Sequence, residues 1–216
     1  MNRRERYREQ TREEVKELAL AQLAEAGAAG LSLNAIAKRM GLTGPALYRY
    51  FTSRDALLAE LIGDGYDDLA RALAEAAAAV DGTPEQRFRA TAAALRGWAV
   101  GQPHRYLLLF GTPVPGFAAP DRTAGAAHRS MRVLMELAAA LDPPGPPPGP
   151  LDAQIAAWQQ QMDAPPSSPA AGRLALASWT RLHGVLSLEV ANQFKLTDID
   201  PALIYEAEVD ALLAGR

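Results

Sequence analysis

The chain has 216 residues, of which 49% are hydrophobic, and a formal net charge of −3, so a folded protein with a sizeable core is expected. It contains no cysteine, which excludes a disulfide framework, a thiol nucleophile and a zinc site built on thiolates. No apolar run is long enough to cross a membrane, and the first residues are rich in arginine and glutamate. We therefore expect neither membrane insertion nor secretion, and a cytoplasmic location.

The start of the chain is more basic than the rest. Residues 1–60 hold ten Lys or Arg against eight Asp or Glu, a balance of +2, whereas residues 61–216 hold twelve against seventeen, a balance of −5. The positive charge at the terminus comes from Arg3, Arg4, Arg6, Arg8 and Arg12. This bias predicts a flexible amino-terminal arm that meets a nucleic acid or another anionic surface.

Apolar residues recur at helical spacing through the first part of the chain. The first helix is expected to end at Gly27, and the second to begin after the capping residue Ser32 and to end at Gly41. Thr43 can cap a third helix that carries Pro45 in its first turn, where proline is tolerated. The apolar stripes of the first two helices are Val15, Leu18, Ala19, Leu23 and Ala26, and Leu33, Ile36, Ala37 and Met40. Because alternating β-strand patterns are missing, the chain is predicted to be all-α.

The third helix has two different sides. At about 100° per residue, Gly44, Pro45, Tyr48 and Arg49 fall on one arc, and Ala46, Leu47, Tyr50 and Phe51 on the other. An arginine fork can contact guanine edges and a tyrosine hydroxyl can donate to a phosphate, so the first arc suits a DNA groove. The pattern predicts a helix-turn-helix, and the alternative is an ordinary helical hairpin with a solvated basic face.

A set of short motifs extends this prediction over the segment from Val15 to Leu61. The motifs are Gly30-Leu31-Ser32, Ile36-Ala37, Met40-Gly41-Leu42, Leu47-Tyr48, Tyr50-Phe51 and Leu57-Leu58. In order and spacing they resemble the DNA-binding domain of the tetracycline-repressor (TetR) family of bacterial transcriptional regulators. The resemblance implies an all-α homodimer with a helix-turn-helix DNA-binding domain at 1–60 and a helical ligand-binding and dimerisation domain at 61–216. It also implies a repressor that binds a palindromic operator and is released by a small effector, for which the low charge of the body favours a hydrophobic or aromatic compound.

The same resemblance assigns roles to residues of the first domain. It implies that the residues facing bases or lining the groove are Thr43, Gly44, Pro45, Tyr48 and Arg49. It implies that the phosphate anchors are Ser32, Asn34, Tyr50 and Arg54. Two positions depart from the family pattern. Arg54 stands where lysine is usual, which keeps the charge and adds a planar fork, and Gly44 has no side chain with which to contact a base.

Prolines divide the second part of the chain. Thirteen of the sixteen lie between Pro103 and Pro169, so long helices are expected to dominate 12–102 and 170–214. The run "DPPGPPPGP" at 142–150 is predicted to be a polyproline-like surface loop, and "APPSSPA" at 164–170 a second one.

The last helices are the expected dimer interface, because the family pairs them into a four-helix bundle. One broad stripe carries the predicted interface residues Leu174, Trp179, Leu182, Gly184, Leu186 and Val190, followed by residues 201–213. Trp179, His183 and Gly184 resemble a Trp-x-x-x-His-Gly pattern of one TetR subgroup. Gly184 favours close approach of another helix, while Trp179 and His183 either line a ligand cavity or build the core.

Aromatic and methionine side chains of the body are candidates for an effector pocket. The predicted ligand-binding set is Trp98, Tyr106, Phe110, Met131, Met135, Trp158, Trp179 and His183, and the alternative is that most of them simply build the core. The histidines His104, His128 and His183 share no metal-ligand spacing, so no metal site and no cofactor are expected.

The fourth helix carries two glycines and three aspartates close together. Gly63 and Gly65 interrupt the fourth helix and predict either a hinge or a close helix contact. Asp64, Asp67 and Asp68 are interpreted as a solvated face rather than a catalytic or cation-binding cluster.

No catalytic motif is found, so an enzyme is not expected. The alternatives to a ligand-responsive repressor are a DNA-binding dimer without a small-molecule effector and a helical ligand carrier or enzyme.

Overall fold

The structure, a computed structural model of the chain, describes residues 2–111, 117 and 121–215, with the backbone alone at 121 and 122. Over these residues it consists of helices and connecting segments, without a strand. The helices are α1 (Arg3–Ala26), α2 (Leu33–Arg39), α3 (Gly44–Leu47), α4 (Arg54–Ala78), α5 (Pro84–Gly101), α6 (Pro103–Phe110), α7 (Asp121–Leu141), α8 (Pro150–Gln161), α9 (Pro169–Val190) and α10 (Pro201–Ala214). Short 3₁₀ turns lie at Ala28–Gly30 and Gln193–Leu196. The predicted all-α fold is confirmed.

The packing groups the chain into two compact units. The first unit comprises Met1–Gly65 and His104–Thr123, and the second comprises Tyr66–Pro103 and Ala124–Arg216. The sequence-based division placed everything after residue 60 in the second domain. The grouping by packing places α6 with the amino-terminal helices instead.

The core of the first unit is built by the predicted apolar stripes. Its buried residues come from α1, α2, α3 and the start of α4, and they are Val15, Ala19, Leu23, Leu31, Leu33, Ile36, Ala37, Leu47, Phe51, Leu57, Leu58 and Leu61. Leu18 and Met40 pack against this core while partly exposed. Ala26, which the stripe also included, is exposed because it lies in the last turn of α1.

The amino-terminal arm is a helix and not a flexible segment, which corrects the expectation. The side chain of Asn2 accepts a hydrogen bond from the amide of Glu5, at 2.9 Å, and the carboxylate of Glu5 accepts one from the amide of Asn2, at 2.8 Å. This capping box satisfies amide groups that would otherwise lack partners at the helix start. The arginines from Arg3 to Arg8 are therefore held on a regular helical lattice.

Helix α9 is the central element of the second unit. Helices α5, α8 and α10 all pack against it, and they bury a broad arc of its side chains. Arg96 of α5 is ion-paired to Glu189 of α9, with 2.5 Å between Nη2 and Oε1, and Tyr205 of α10 donates to the carbonyl of Ala92 at 2.8 Å. Both proline-rich connections lack regular structure, although Pro150 and Pro169 begin α8 and α9, where a missing amide costs nothing.

Candidate nucleic-acid interface

The turn between α2 and α3 is fixed by local chemistry. Ser32 and Thr43 accept hydrogen bonds from the amides of Ala35 and Ala46, at 3.3 and 3.4 Å, and so cap the two helices as predicted. Gly41 adopts a φ of +68°, a backbone conformation that side-chain-bearing residues rarely tolerate. These residues set the direction in which the third helix leaves the second.

Helix α3 presents one side outward. Leu47 is fully buried and Phe51 is 2% exposed, whereas Tyr48 is 44% exposed and Arg49 and Pro45 are also exposed. The helix is shorter than predicted. It ends at Leu47, and residues 48–50 continue as a turn. The two predicted sides are nevertheless separated, with Tyr48 and Arg49 on the surface.

Gly44 lies close to a side chain of the preceding helix, a contact that the sequence did not reveal. A Cβ atom built at this position would lie 3.3 Å from Oδ1 of Asn34, on α2. A methyl group at residue 44 would therefore require the exposed Asn34 side chain to move by a few tenths of an ångström. Asn34 itself is exposed and Ser32 is half-buried, and their contact with phosphate stays a prediction.

Arg54, a predicted phosphate anchor, is engaged within the protein. Its Nη2 donates to the carbonyl of Ala28 at 2.5 Å, and its Nη1 lies 3.5 Å from Oδ1 of Asp55. The arginine thus ties the start of α4 to the segment after α1. Its contact with phosphate stays a prediction, and so does that of the half-buried Tyr50.

Arg12 holds the segment after α3, a role that sequence reasoning missed. Its Nη1 donates to the carbonyl of Tyr50 at 2.6 Å, and its guanidinium lies over the ring of Phe51, 4.4 Å from the centroid. Glu60 of α4 forms an ion pair with Nη2 of the same arginine. Because these partners lie far from Arg12 along the chain, no local pattern could have revealed them.

The predicted pocket residues are divided between the two units. Tyr106 and Phe110 belong to the first unit, where their ring centroids are 5.1 Å apart, and burial raises the pKa of Tyr106. Trp98, Met131 and Met135 are buried in the second unit, and Trp158 there is half-buried. That these residues line an effector pocket stays a prediction.

Trp98 is oriented by an acidic partner. Its Nε1 donates to Oδ2 of Asp68 at 2.9 Å, and Gln102 donates to the same oxygen at 3.2 Å. Nε of Arg129 donates to Asp67 at 2.8 Å. The interpretation of these aspartates as a solvated face is corrected for Asp68, which is half-buried and bound to Trp98. Among the described residues, no group of acidic and histidine side chains is arranged to hold a metal ion.

Trp179 and His183 contact each other on α9. Their ring centroids are 5.6 Å apart at an interplanar angle of 63°, an edge-to-face arrangement. Trp179 is 38% exposed and His183 is half-buried. Burial lowers the pKa of His183 to about 4, so the imidazole is neutral near pH 7.

Three of the predicted interface residues are buried within the chain itself. Leu182 and Leu186 are fully buried and Leu174 is 9% exposed, so these leucines pack in the core of the second unit and do not face a second copy. This corrects the predicted interface, because the apolar stripe of α9 is used inside the protomer. Gly184 is exposed and Val190 half-buried, and a Cβ at Gly184 would meet no atom within 4 Å. The exposed apolar residues of this region are Trp179, Leu188, Leu196, Ile199 and Leu203.

The first unit is a helix-turn-helix domain of a DNA-binding transcriptional regulator, and comparison with known proteins places it within a family. The family model of bacterial regulatory proteins of the tetR family matches residues 17–61, and the model of the tetracyclin repressor-like C-terminal domain matches residues 88–212. The chain belongs to the TetR family. The described helices are all too short or too polar to span a lipid bilayer.

Individual relatives support this membership. The HTH-type transcriptional regulator Rv1816 from Mycobacterium tuberculosis (strain ATCC 25618 / H37Rv) is 37% identical over 227 residues, which cover 99% of this chain and 95% of that protein. The crystal structure of the regulatory protein SCO4313 has a TM-score of 0.86 and 48% identity, and covers 99% of this chain and 100% of its own. FadR from Bacillus subtilis, solved in complex with stearoyl-CoA, shares the fold with a TM-score of 0.60 and 12% identity over 94% of this chain and 98% of its own.

Proposed function

We propose that this regulator is a repressor that binds a palindromic operator as a homodimer and is released by a small hydrophobic or aromatic effector. The observation that carries the proposal is the outward edge formed by α3 and the turn at residues 48–50. Tyr48 and Arg49 are exposed while Leu47 and Phe51 anchor the helix in the core. A polar edge on a rigid base suits entry into the major groove.

Arg49 is the residue proposed to read bases. Its guanidinium can donate two parallel hydrogen bonds to a guanine edge, which is the commonest base-specific contact of arginine. Tyr48 can donate to a phosphate beside it, and Ser32 and Asn34 lie at the start of α2 on the same side of the turn. Thr43 and Pro45 then line the groove where α3 begins.

The dimer is supported by two independent arguments. One three-helix head contacts too few phosphates for tight and specific binding, so two heads on half-sites about one duplex turn apart are the usual arrangement. In addition, Leu188, Ile199 and Leu203 are large apolar side chains left exposed on or next to the last two helices of the described chain. Their burial against a second copy would remove apolar surface from water.

The effector class is proposed from the interior of the second unit. Trp98, Met131 and Met135 are buried there, and aromatic and methionine side chains suit an apolar and adaptable lining for a small molecule. The fold neighbour FadR was solved with stearoyl-CoA, so in that protein the fold holds a ligand with a long acyl chain. A hydrophobic or aromatic compound is the proposed effector for this chain.

The proposal is tested by selecting bound fragments from a genomic DNA library and measuring their affinity as a function of salt. Replacement of Arg49 by alanine is expected to cost about 1–3 kcal/mol of binding free energy and to relax the base preference at one position of each half-site. Arg132→Ala is the matched control, since it removes one exposed arginine from α7 that pairs with Glu136 one turn away.

Three results would contradict the proposal in different parts. Binding that shows no sequence preference would contradict recognition of a specific operator. A monomer bound to the selected DNA would contradict binding as a homodimer. DNA that hydrophobic and aromatic compounds never release would favour a dimeric regulator without a small-molecule effector. If Arg49→Ala and Arg132→Ala weakened binding equally, base reading by Arg49 would be wrong.

A further inference from the structure

The first two turns of α1 extend beyond the core of the first unit. Every residue from Asn2 to Gln10 is exposed, and Thr11 is the first buried residue of the helix. The core itself begins at Val15. The composition of this extension is therefore not set by packing against the core of the first unit.

The side of the extension that continues the core-facing stripe is basic and aromatic. Tyr7 lies one turn before Thr11, while Arg4 and Arg8 lie two turns before Thr11 and Val15. These three side chains line a cleft of about 380 Å³ together with Leu42, Ala46, Arg49 and Tyr50. The extension thus shares a continuous surface with the outward edge of α3.

The charges on this surface are available to an outside partner. Within the described part of the chain, neither Arg4 nor Arg8 forms an ion pair, and both are exposed. Tyr7 is 67% exposed, so its hydroxyl reaches solvent. Two arginines and a tyrosine beside Arg49 create a positive groove wall, which is complementary to a polyanion that already contacts α3.

The extension is ordered before any partner arrives. The capping box between Asn2 and Glu5 closes its first turn, and the hydroxyl of Thr11 donates to the carbonyl of Tyr7 at 2.9 Å. A preformed helix holds its arginines in place, so binding does not have to order a flexible arm.

We propose that Arg4, Tyr7 and Arg8 form a second DNA-contacting element that grips the sugar-phosphate backbone beside the segment read by α3. The inference rests on the proposed function, because it requires α3 to face duplex DNA. Arginine forks bind phosphate oxygens with two parallel hydrogen bonds, and such contacts add affinity without sequence information. The extension therefore strengthens binding to every duplex and leaves base preference to α3.

The experiment compares two charge-matched double variants of the full chain. Arg4→Ala/Arg8→Ala removes the arginines that line the cleft, and Arg3→Ala/Arg6→Ala removes two from other sides of the same helix turns. The probes are the duplex selected by the unmodified protein and a random-sequence duplex of equal length. Affinity is measured over a salt series, and circular dichroism with thermal melting checks that both variants are folded.

We expect Arg4→Ala/Arg8→Ala to weaken binding to both duplexes by the same factor, on the order of tenfold or more at low salt. The slope of log affinity against log salt should become shallower by about 0.9 for each phosphate that the variant no longer neutralises. Tyr7→Phe should weaken binding less and leave the slope unchanged. Arg3→Ala/Arg6→Ala should leave the slope closer to that of the unmodified protein.

The outcomes distinguish failure of the proposed backbone contact by α1 from failure of the proposed DNA-binding function. Equal effects of the two double variants, or no effect of either, would overturn the proposal while leaving operator binding intact. A changed base preference in Arg4→Ala/Arg8→Ala would also overturn it, since it would show reading rather than backbone contact. If the unmodified protein selected no duplex at all, the proposed function itself would fail, and this result is recognised before any variant is made.

Discussion

Helices α3 and α9 carry the predicted DNA-binding surface and the predicted dimer interface, and the two predictions fare differently. In α3 and the turn that follows it, the residues predicted to point outward, Tyr48 and Arg49, are exposed, and the predicted anchors Leu47 and Phe51 are buried. In α9, the residues predicted to face a second copy are split, because Leu182 and Leu186 are fully buried whereas Trp179 is exposed.

The difference follows from the number of neighbours that each helix has. The region of α3 is short, is fixed by a cap at Thr43 and a glycine turn at Gly41, and has one core to pack against. Helix α9 packs against α5, α8 and α10, so its buried arc is broad and includes leucines that were predicted to face a second copy. An apolar stripe therefore identifies the buried side of a one-sided helix but does not separate core from interface on a many-sided one.

The largest expected effect tests this division on α9 itself. Leu182→Ala should lower the free energy of unfolding by about 2–5 kcal/mol, because it leaves a cavity in the core of the second unit. Leu188→Ala, six residues further on and 46% exposed, is the matched control. It should leave the unfolding of the protomer nearly unchanged and weaken self-association instead.

Chemical denaturation and sedimentation at several protein concentrations distinguish these effects, since a dimer that dissociates on unfolding makes stability concentration-dependent. Equal losses of protomer stability in the two variants would contradict the division between core and interface. Self-association unchanged by Leu188→Ala, and also by Leu203→Ala, would move the interface away from these helices.

The histidine of α9 sharpens the comparison through pH. Burial lowers the pKa of His183 from 6.5 to about 4, so between these values the unfolded chain binds a proton that the folded chain excludes. Stability should therefore fall as the pH drops from 6.5 towards 4, and this contribution should level off below that. Unfolding measured across this range should show a weaker decline in His183→Asn than in the unmodified protein. His104→Asn, a change at an exposed histidine of α6, should keep the decline.

Arg12 offers the corresponding test in the region of α3. Arg12→Ala leaves the Tyr50 carbonyl and the Glu60 carboxylate without this partner, and it removes the cation over Phe51. We expect a loss of about 1–2 kcal/mol in unfolding free energy and weaker binding to all duplexes, because the segment after α3 is no longer held. Arg12→Lys should recover only part of both, since an ammonium lacks the planar fork.

Lys16→Ala is the matched control for Arg12. Lys16 lies one turn further along α1 and pairs with Asp64 at 2.8 Å and with Glu60 at 3.7 Å, both on α4. Its replacement should affect stability slightly and DNA affinity very little. If Lys16→Ala reduced DNA affinity as much as Arg12→Ala, the effect would be one of general charge and not of position.

The contrast between local and long-range contacts explains how much of the fold and of the candidate site the sequence could predict. The helical class, the caps Ser32 and Thr43 and the turn at Gly41 depend on neighbours a few residues away, so local chemistry was sufficient. The contact between Arg12 and Tyr50 joins residues 38 positions apart, and it exists only after the helices have packed. The prediction of a flexible arm was wrong for a different reason, because arginine-rich composition suggested disorder while the Asn2 and Glu5 cap favours a helix.

The smallest expected effect repeats this contrast at two neighbouring glycines of α4. Gly63 and Gly65 were interpreted as either a hinge or a close contact, and both lie within a continuous helix. A Cβ at Gly63 would meet no atom within 4 Å, whereas a Cβ at Gly65 would lie 3.2 Å from Cδ2 of Leu109. Local propensity alone therefore determines the outcome at Gly63, and packing also contributes at Gly65.

Gly63→Ala should stabilise the fold by about 0.5–1 kcal/mol, because alanine lowers the entropy lost on helix formation. Gly65→Ala should gain less, since Leu109 must shift to admit the methyl group. Unfolding measurements give the two free energies, and amide hydrogen exchange reports local opening of residues 60–66. If Gly63→Ala slowed exchange there and also blunted the release of DNA by an effector, the glycine would act as a hinge. If release were altered only in Gly65→Ala, the contact with Leu109 would be the functional feature, and the hinge interpretation would be wrong.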